Sequence, residues 1–155
     1  MSYGGAKVGE NPSILGFSDA DYAADLDKCR STTGYIFKLW NSSISWKSSL
    51  QHVVALSTTE VEYIAVADAI KEAMWLKGLV GELLGLDVKV TLICDSQSAI
   101  HLLKNQAHHE RTKHIDIRYH FIRDIIENKV VELIKVAREE NVTDMFTKVV
   151  LAAKF

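Results

Sequence analysis

The feature that most constrains this chain is a single apolar line that runs through residues 57–85. Steps of alternately four and three residues from Glu62 meet only apolar side chains, as in a helix that packs one face on a core. The line consists of Val66, Ala69, Ala73, Leu76, Val80 and Leu83. It predicts one long helix that ends near Gly85 and carries a carboxylate on its core-facing side. A glutamate in that position is costly to bury unless it is paired or binds a metal.

The start of this helix gives its other early glutamate a structural explanation. Residues 57–60 read STTE, a capping box in which Ser57 is the N-cap and Glu60 accepts a hydrogen bond from the Ser57 N–H. Glu60 lies two positions before Glu62, so the two side chains point in different directions from a helix. We therefore predict that Glu62 is the functional glutamate and that Glu60 stabilises the helix terminus.

Short β-type segments surround the predicted helix. The run ILGF begins after Ser13, and the segments TTGYIFKLW and SISWKSS form a hairpin around a polar turn at residues 41–43. Strands are also predicted at KVTLICD and VVELIKV, and helices at SQSAIHLLKN, HIDIRYHFIRDIIENK and NVTDMFTKVVLAA. The order β-β-β-α-β-α-α-β-α predicts an α/β fold, in which a mixed sheet carries helices on its faces.

Length and composition fit one domain. With 155 residues, 48% of them apolar, the chain is long enough to bury a core, and no proline- or glycine-rich linker divides it. Residues 1–13 are polar and are predicted to form a loosely ordered leader before a single domain at 14–155. No apolar run approaches the roughly 20 residues of a membrane span. Two cysteines, Cys29 and Cys94, are too few for a disulfide framework and indicate a reducing compartment.

Carboxylates follow two of the predicted strands. Asp19 comes after the run ILGF, near the predicted end of the first strand, and Asp95 follows KVTLIC directly before a helix. Ligand sites in α/β sheets collect at the carboxyl ends of strands, so both side chains are candidates together with Glu62. Asp144 is ambiguous, because three residues after Asn141 it could also be a first-turn acid favoured by the helix dipole.

The residue types of these candidates indicate the kind of metal. Carboxylates from separate elements, with no Cys or His beside them, favour Mg²⁺ or Mn²⁺ over zinc. Such sites suit phosphoryl chemistry with two metal ions about 4 Å apart. A zinc site that combines Cys94 with histidines of residues 108–114 fits no finger spacing. An acidic-site phosphatase with a small substrate is one alternative for such a site, against which the basic residues between positions 101 and 123 argue.

Several ordered motifs of the chain resemble one family. They are GFSDADYA, CRSTTGYIF, the segment from SISWKSS to EAMWL, CDSQSAI, RTKHIDIRYHFIRD and NVTDMFTK. Over about residues 14–149 the chain resembles the ribonuclease H domain of Ty1/copia-type LTR retrotransposon polyproteins. The resemblance implies a ribonuclease H-like fold with a five-stranded mixed sheet, whose first three strands are antiparallel. It also implies an endonuclease that hydrolyses the RNA strand of RNA–DNA hybrids during reverse transcription.

The resemblance also implies a set of catalytic and metal-binding residues. They are Asp19, Glu62, Asp95 and Asp144, which would hold two Mg²⁺ ions, with Mn²⁺ as the other suitable metal. Asp19 would bridge the ions, Glu62 and Asp95 would share them, and Asp144 would complete the second site. The implied products are a 5′-phosphate and a 3′-hydroxyl. The implied partner is the reverse transcriptase domain of the same polyprotein, in the cytoplasmic particle of the retrotransposon.

Contacts to the nucleic acid are implied at further positions. Gln97 matches a position that contacts the minor groove of the hybrid. Thr58 and Thr59 match polar positions before the catalytic glutamate, with helix capping as an equal alternative. Many ribonucleases H carry a histidine in the loop before the last helix, where it is thought to help product release. Here that loop, residues 137–141, reads AREEN and has no histidine, which predicts slow turnover.

The net charge of −2 argues on its own against a nucleic-acid binder, but it averages over a local basic region. Five of the six histidines lie within residues 101–120, near Lys104, Arg111, Lys113, Arg118 and Arg123. We predict that Arg111 and Lys113 contact the hybrid backbone, because phosphate neutralisation dominates affinity. Interspersed acidic residues leave a solvated helix face as the alternative. The alternative function is a catalytically silent ribonuclease H-like module that binds nucleic acid or supports a polymerase, against which the intact carboxylate set argues.

Overall fold

The computed structural model describes residues 11–25, 27, 29–104, 121–141 and 143. Within these ranges its elements follow the predicted order, and the predicted closing helix NVTDMFTKVVLAA lies almost entirely outside them. The elements are β1 (Ser13–Asp25), β2 (Arg30–Leu39), β3 (Ser42–Leu50), α1 (Thr58–Leu84), β4 (Lys89–Cys94), α2 (Gln97–Lys104), a helical segment at residues 121–127 and β5 (Glu132–Lys135). Within these ranges, no helix is both long enough and apolar enough to cross a membrane.

The five strands form one mixed sheet in the order β3-β2-β1-β4-β5. β1 pairs antiparallel with β2, and β2 pairs antiparallel with β3. β4 lies parallel to β1 on its other side, and β5 lies parallel to β4. The consecutive parallel neighbours β4 and β5 need a crossover connection, and α2 is part of it. The predicted α/β fold, a five-stranded mixed sheet whose first three strands are antiparallel, is therefore confirmed.

The β2–β3 hairpin turns one residue earlier than the sequence predicts. Trp40 and Asn41 both have positive φ, 49° and 64°, as the two central residues of a type I′ turn require. Ser42 is already paired with Leu39 in the ladder. Asn tolerates the left-handed region well, whereas Trp seldom adopts it, so the sequence points to Asn41 and not to Trp40.

The apolar line of α1 is buried along most of its length, as predicted. Its side chains from Val66 to Val80 belong to the core that the helix forms with the sheet. Leu83 is 75% exposed, so the predicted line is wrong in its last turn. The predicted line repeats every 3.5 residues, whereas an α-helix has 3.6 residues per turn, so the line drifts around the helix by about 20° per heptad. Over the three heptads from Glu62 to Leu83 the drift is about 60°. The helix ends as predicted at Gly85, whose φ of 63° is the left-handed C-cap conformation.

The N-terminus of α1 has half of the predicted capping box. Ser57 is the N-cap, and its Oγ accepts a hydrogen bond from the Glu60 N–H at 3.2 Å. The Glu60 carboxylate, however, accepts from the N–H of Leu56 at 2.8 Å and not from that of Ser57. The predicted partner is therefore wrong by one residue, although Glu60 still satisfies a backbone donor at the helix terminus.

Candidate metal centre

Among the described residues, three carboxylates from three separate elements converge at one point. Asp19 lies on β1, Glu62 on the second turn of α1, and Asp95 directly after β4. One oxygen of each carboxylate lies within 4.8 Å of one oxygen of each of the others. Asp19 is buried, with 1% of its surface exposed, while Glu62 and Asp95 are half-buried. Three of the four predicted metal-binding residues are thus brought together.

The register of the sheet explains why two of these carboxylates are neighbours. Phe17 of β1 is paired with Ile93 of β4 in the parallel ladder, and that is the last pair between the two strands. Asp19 and Asp95 each lie two residues farther on, so they leave the ladder side by side. The prediction that Asp19 lies near the end of its strand is wrong, because β1 continues to Asp25 in its antiparallel pairing with β2. Asp19 instead marks the end of the parallel pairing.

The donor set of this cluster fits a hard divalent cation. Carboxylate oxygens are the ligands that Mg²⁺ and Mn²⁺ prefer, and three of them within 4.8 Å leave room for an ion between them. Without a cation, like charges so close repel one another. The geometry therefore favours cation binding over an apolar or anionic ligand at this point.

Cys94 directly precedes Asp95 in the chain, and the carboxylate cluster affects the pKa of its thiol. Burial raises the pKa of this thiol to about 12, and the charges of Glu62, Asp95 and Asp19 add to the increase. The thiol donates a weak hydrogen bond from Sγ to the carbonyl oxygen of Ser96 at 3.7 Å. Cys94 is fully buried in the hydrophobic core, and its thiol therefore stays protonated at neutral pH.

A cleft of about 400 Å³ opens at the carboxylates. Thr58 and Thr59, the first two residues of α1, line it together with Glu62 and Asp95. At this helix terminus the capping hydrogen bond is accepted by Ser57 Oγ, so helix capping does not account for the presence of the two threonines. Their predicted contact with nucleic acid stays a prediction that the position in the cleft favours.

Gln97 is the first residue of α2 and is exposed. The helix begins just after Asp95, and the Oγ of Ser96 accepts from the N–H of Ala99 at 3.2 Å, as an N-cap does. This arrangement fixes Gln97 two residues from a carboxylate of the cluster. Its contact with the minor groove stays a prediction.

Three other predicted site residues, Asp144, Arg111 and Lys113, lie outside the described residues. Two described residues of the predicted basic region, Arg123 and Lys104, lie in different environments. Arg123 is buried, with 5% of its surface exposed, so it is not a surface contact for phosphates. Lys104 lines a separate cavity of about 950 Å³ at the amino end of β4, the end away from Asp95.

Sequence reasoning missed two residues at this site. Arg138, in the turn after β5, lines the cleft together with Glu62 and Asp95. Asn141 donates from its side chain Nδ2 to the carbonyl oxygen of Ser18 at 2.8 Å. Neither role follows from a local pattern, because each depends on a segment more than 40 residues away in the chain.

Curated relatives of the chain include retrotransposon polyproteins. No protein-family model matches the chain. It is 50% identical over 148 residues to the Retrovirus-related Pol polyprotein from transposon TNT 1-94 of Nicotiana tabacum. This alignment covers 95% of this chain and 11% of that polyprotein. It is also 38% identical over 143 residues to the Retrovirus-related Pol polyprotein from transposon RE2 of Arabidopsis thaliana. This alignment covers 92% of this chain and 10% of that polyprotein. The chain thus spans about a tenth of the length of these relatives.

Solved structures share the fold at low sequence identity. The crystal structure of LC11-RNase H1 in complex with RNA/DNA hybrid matches with a TM-score of 0.62 and 14% identity. The match covers 86% of this chain and 92% of that chain. At this identity the likeness shows a shared fold and leaves the activity to be argued from the site.

Proposed function

The chain belongs to the ribonuclease H domains of Ty1/copia-type retrotransposon polyproteins, and from this membership we propose that it hydrolyses the RNA strand of RNA–DNA hybrids. The observation that carries the proposal is the convergence of Asp19, Glu62 and Asp95, whose oxygens lie within 4.8 Å of one another. A site for hard cations beside a cleft is suited to metal-assisted phosphodiester hydrolysis. Asp144 is proposed as a fourth ligand by family resemblance.

The residues of the chain hold the reaction site rigidly. Asp19 is fixed by pairing of β1 on both sides just before it, and Glu62 by the buried face of α1. Asp95 follows the central strand β4 and precedes the N-terminus of α2. When bound, two divalent ions in such a site supply an activated water and stabilise the leaving 3′ oxygen. The role of the three carboxylates is to position these ions and to offset their charge.

The proposed substrate and partner follow from the same membership. The cleft beside the carboxylates receives the RNA strand, with Thr58, Thr59 and Gln97 as proposed contacts and with Arg111 and Lys113 on the backbone. The relatives are Pol polyproteins of which this chain spans about a tenth, so we propose the reverse transcriptase region of the same polyprotein as its partner. The reaction is proposed to take place in the retrotransposon particle in the cytoplasm.

The test is cleavage of a hybrid labelled on its RNA strand. With Mg²⁺ or Mn²⁺ the chain is expected to release fragments with 5′-phosphate and 3′-hydroxyl ends, and to leave single-stranded RNA and the DNA strand intact. EDTA and Asp95→Asn should each abolish cleavage. Binding of the hybrid without cleavage under either metal would contradict the proposal and identify a silent binding module. Equal cleavage with and without EDTA would contradict the role of metal ions.

A further inference from the structure

A basic side chain also lines the acidic cleft beside the carboxylates. Among the described residues that line it, Arg138 alone is basic, whereas Asp21, Glu62 and Asp95 are acidic. Arg138 is exposed, so its guanidinium is accessible to a ligand in the cleft. Exposed ion pairs contribute little to folding stability, about 0–1 kcal/mol, so a structural role for this side chain is weak.

The turn that carries Arg138 is attached to both strands that supply carboxylates. Before the turn, the N–H of Val136 donates to the carbonyl oxygen of Cys94 at 3.1 Å, next to Asp95. After the turn, Asn141 donates to the carbonyl oxygen of Ser18 at 2.8 Å, next to Asp19. The turn therefore bridges the two carboxylate-bearing strands, and its position relative to the metal centre is fixed.

The turn itself is built from the backbone. It is a short 3₁₀ helix, Arg138–Glu140, in which the N–H of Glu140 donates to the oxygen of Ala137 at 3.0 Å. The N–H of Asn141 donates to the oxygen of Arg138 at 3.1 Å. None of these backbone bonds uses the guanidinium of Arg138, so a substitution of its side chain removes none of them.

A nucleic acid that enters this cleft brings several phosphates, and the carboxylates repel each of them. Metal ions at the centre offset the charge at the phosphate that reacts, but neighbouring phosphates need cations of their own. An arginine guanidinium matches a phosphate with two parallel hydrogen bonds, and it keeps its charge at every relevant pH. Resting on the proposed function, we propose that Arg138 binds a phosphate of the RNA strand beside the scissile one.

The test measures binding and cleavage separately. Binding is measured by fluorescence anisotropy in Mg²⁺ with a DNA hybrid of 2′-fluoro RNA, which lacks the 2′-hydroxyls of the native strand, over a series of NaCl concentrations. Arg138→Ala is expected to weaken binding about tenfold. It should also reduce the slope of log K against log[NaCl] by about one, as expected for one lost phosphate contact. Arg138→Lys should keep the slope and recover part of the affinity.

Lys104→Ala is the matched control, because it removes one positive charge at the other end of β4. It should bind like the wild type. If Arg138→Ala matches Lys104→Ala in affinity and in slope, the proposed contact between Arg138 and a phosphate is refuted. Melting curves verify that both variants are folded. Cleavage of the native hybrid reports on the proposed function itself. A wild type that binds but does not cleave refutes that function, while the slope still decides the Arg138 contact; a wild type that does not bind refutes both.

Discussion

The side-chain amide of Asn141 donates a hydrogen bond to the backbone carbonyl oxygen of Ser18, 123 residues earlier in the chain, at 2.8 Å. Asn141 is buried, and its Oδ1 accepts from the hydroxyl of Thr143 at 2.6 Å and from the N–H of the same residue at 3.3 Å. The residue after Ser18 is Asp19, so this bond attaches the segment after β5 directly beside the metal centre.

Asn141→Ala is expected to lower the free energy of unfolding by about 2 kcal/mol, because it leaves a buried carbonyl and a buried hydroxyl without their partner. Urea denaturation measures the loss. Cleavage of the hybrid should fall as well, since the turn with Arg138 loses its attachment to β1. Asn128→Ala, at an exposed position, is the control and should change stability by less than about 0.5 kcal/mol. Equal stability of both variants would show that the bond to Ser18 contributes nothing.

Glu62→Gln and Glu60→Gln separate the two early glutamates of α1. Glu62→Gln removes one charge from the carboxylate cluster, so we expect a loss of hybrid cleavage of at least about 100-fold. Glu60→Gln keeps an oxygen that accepts from the Leu56 N–H, so cleavage should stay within about twofold and stability should fall by about 1 kcal/mol. Initial cleavage rates and urea curves of the two variants decide the assignment. Loss of activity in Glu60→Gln alone would reverse it.

Divalent metal should stabilise the folded chain, because a cation relieves the repulsion among Asp19, Glu62 and Asp95. At a tenfold excess over its dissociation constant, Mg²⁺ adds about 1.4 kcal/mol, or about 3–5 °C in melting temperature. Differential scanning fluorimetry measures the shift against NaCl of equal ionic strength.

Asp95→Asn is the matched variant for this shift. It should melt higher than the wild type in EDTA, because one repelling charge is gone, and its response to Mg²⁺ should be small. A wild type whose melting temperature is the same in EDTA and in 10 mM Mg²⁺ or Mn²⁺ would contradict cation binding at the cluster.

The raised pKa of the Cys94 thiol makes the free energy of unfolding depend on pH in the alkaline range. Burial, with the charges of Glu62, Asp95 and Asp19, raises its pKa from 9.0 to about 12 in the folded chain. Above pH 9 the unfolded chain therefore loses this proton while the folded chain keeps it. Stability should fall as pH rises, by up to about 1.4 kcal/mol per pH unit from this group.

Urea unfolding in EDTA at pH 8, 9 and 10 measures this slope. Tyr35, whose pKa burial raises from 10.0 to about 12, adds to the slope near pH 10, and it does so equally in the wild type and in Cys94→Ala. Cys94→Ala should be less stable at pH 8 but should lose less stability between pH 9 and 10. Cys29→Ser, at an exposed cysteine, should keep the wild-type slope. Identical slopes in the wild type and Cys94→Ala would contradict the raised pKa.

The sequence predicts those features of the site that depend on local periodicity. Glu62 could be assigned because the apolar line of α1 extends over several turns, and Asp95 because it follows a short buried strand directly. Asp19 was identified, but its place in the strand was not, because the end of the parallel ladder is decided by β4 and not by the sequence of β1.

Features that depend on distant segments could not be predicted. The place of Arg138 in the cleft depends on the bonds of its turn to β4 and β1. Arg123 has the charge of a phosphate contact, but tertiary packing buries it.

The central claim is that Asp19, Glu62 and Asp95 act as one metal centre that cleaves RNA. Its most direct test is the single-turnover cleavage rate of a labelled RNA–DNA hybrid as a function of Mg²⁺, for the wild type and for Asp19→Asn. The wild-type rate should rise from zero in EDTA to a plateau, and Asp19→Asn should show no cleavage at any Mg²⁺ concentration while it remains folded. Cleavage by Asp19→Asn at the wild-type rate, or cleavage by the wild type in EDTA, would contradict the claim.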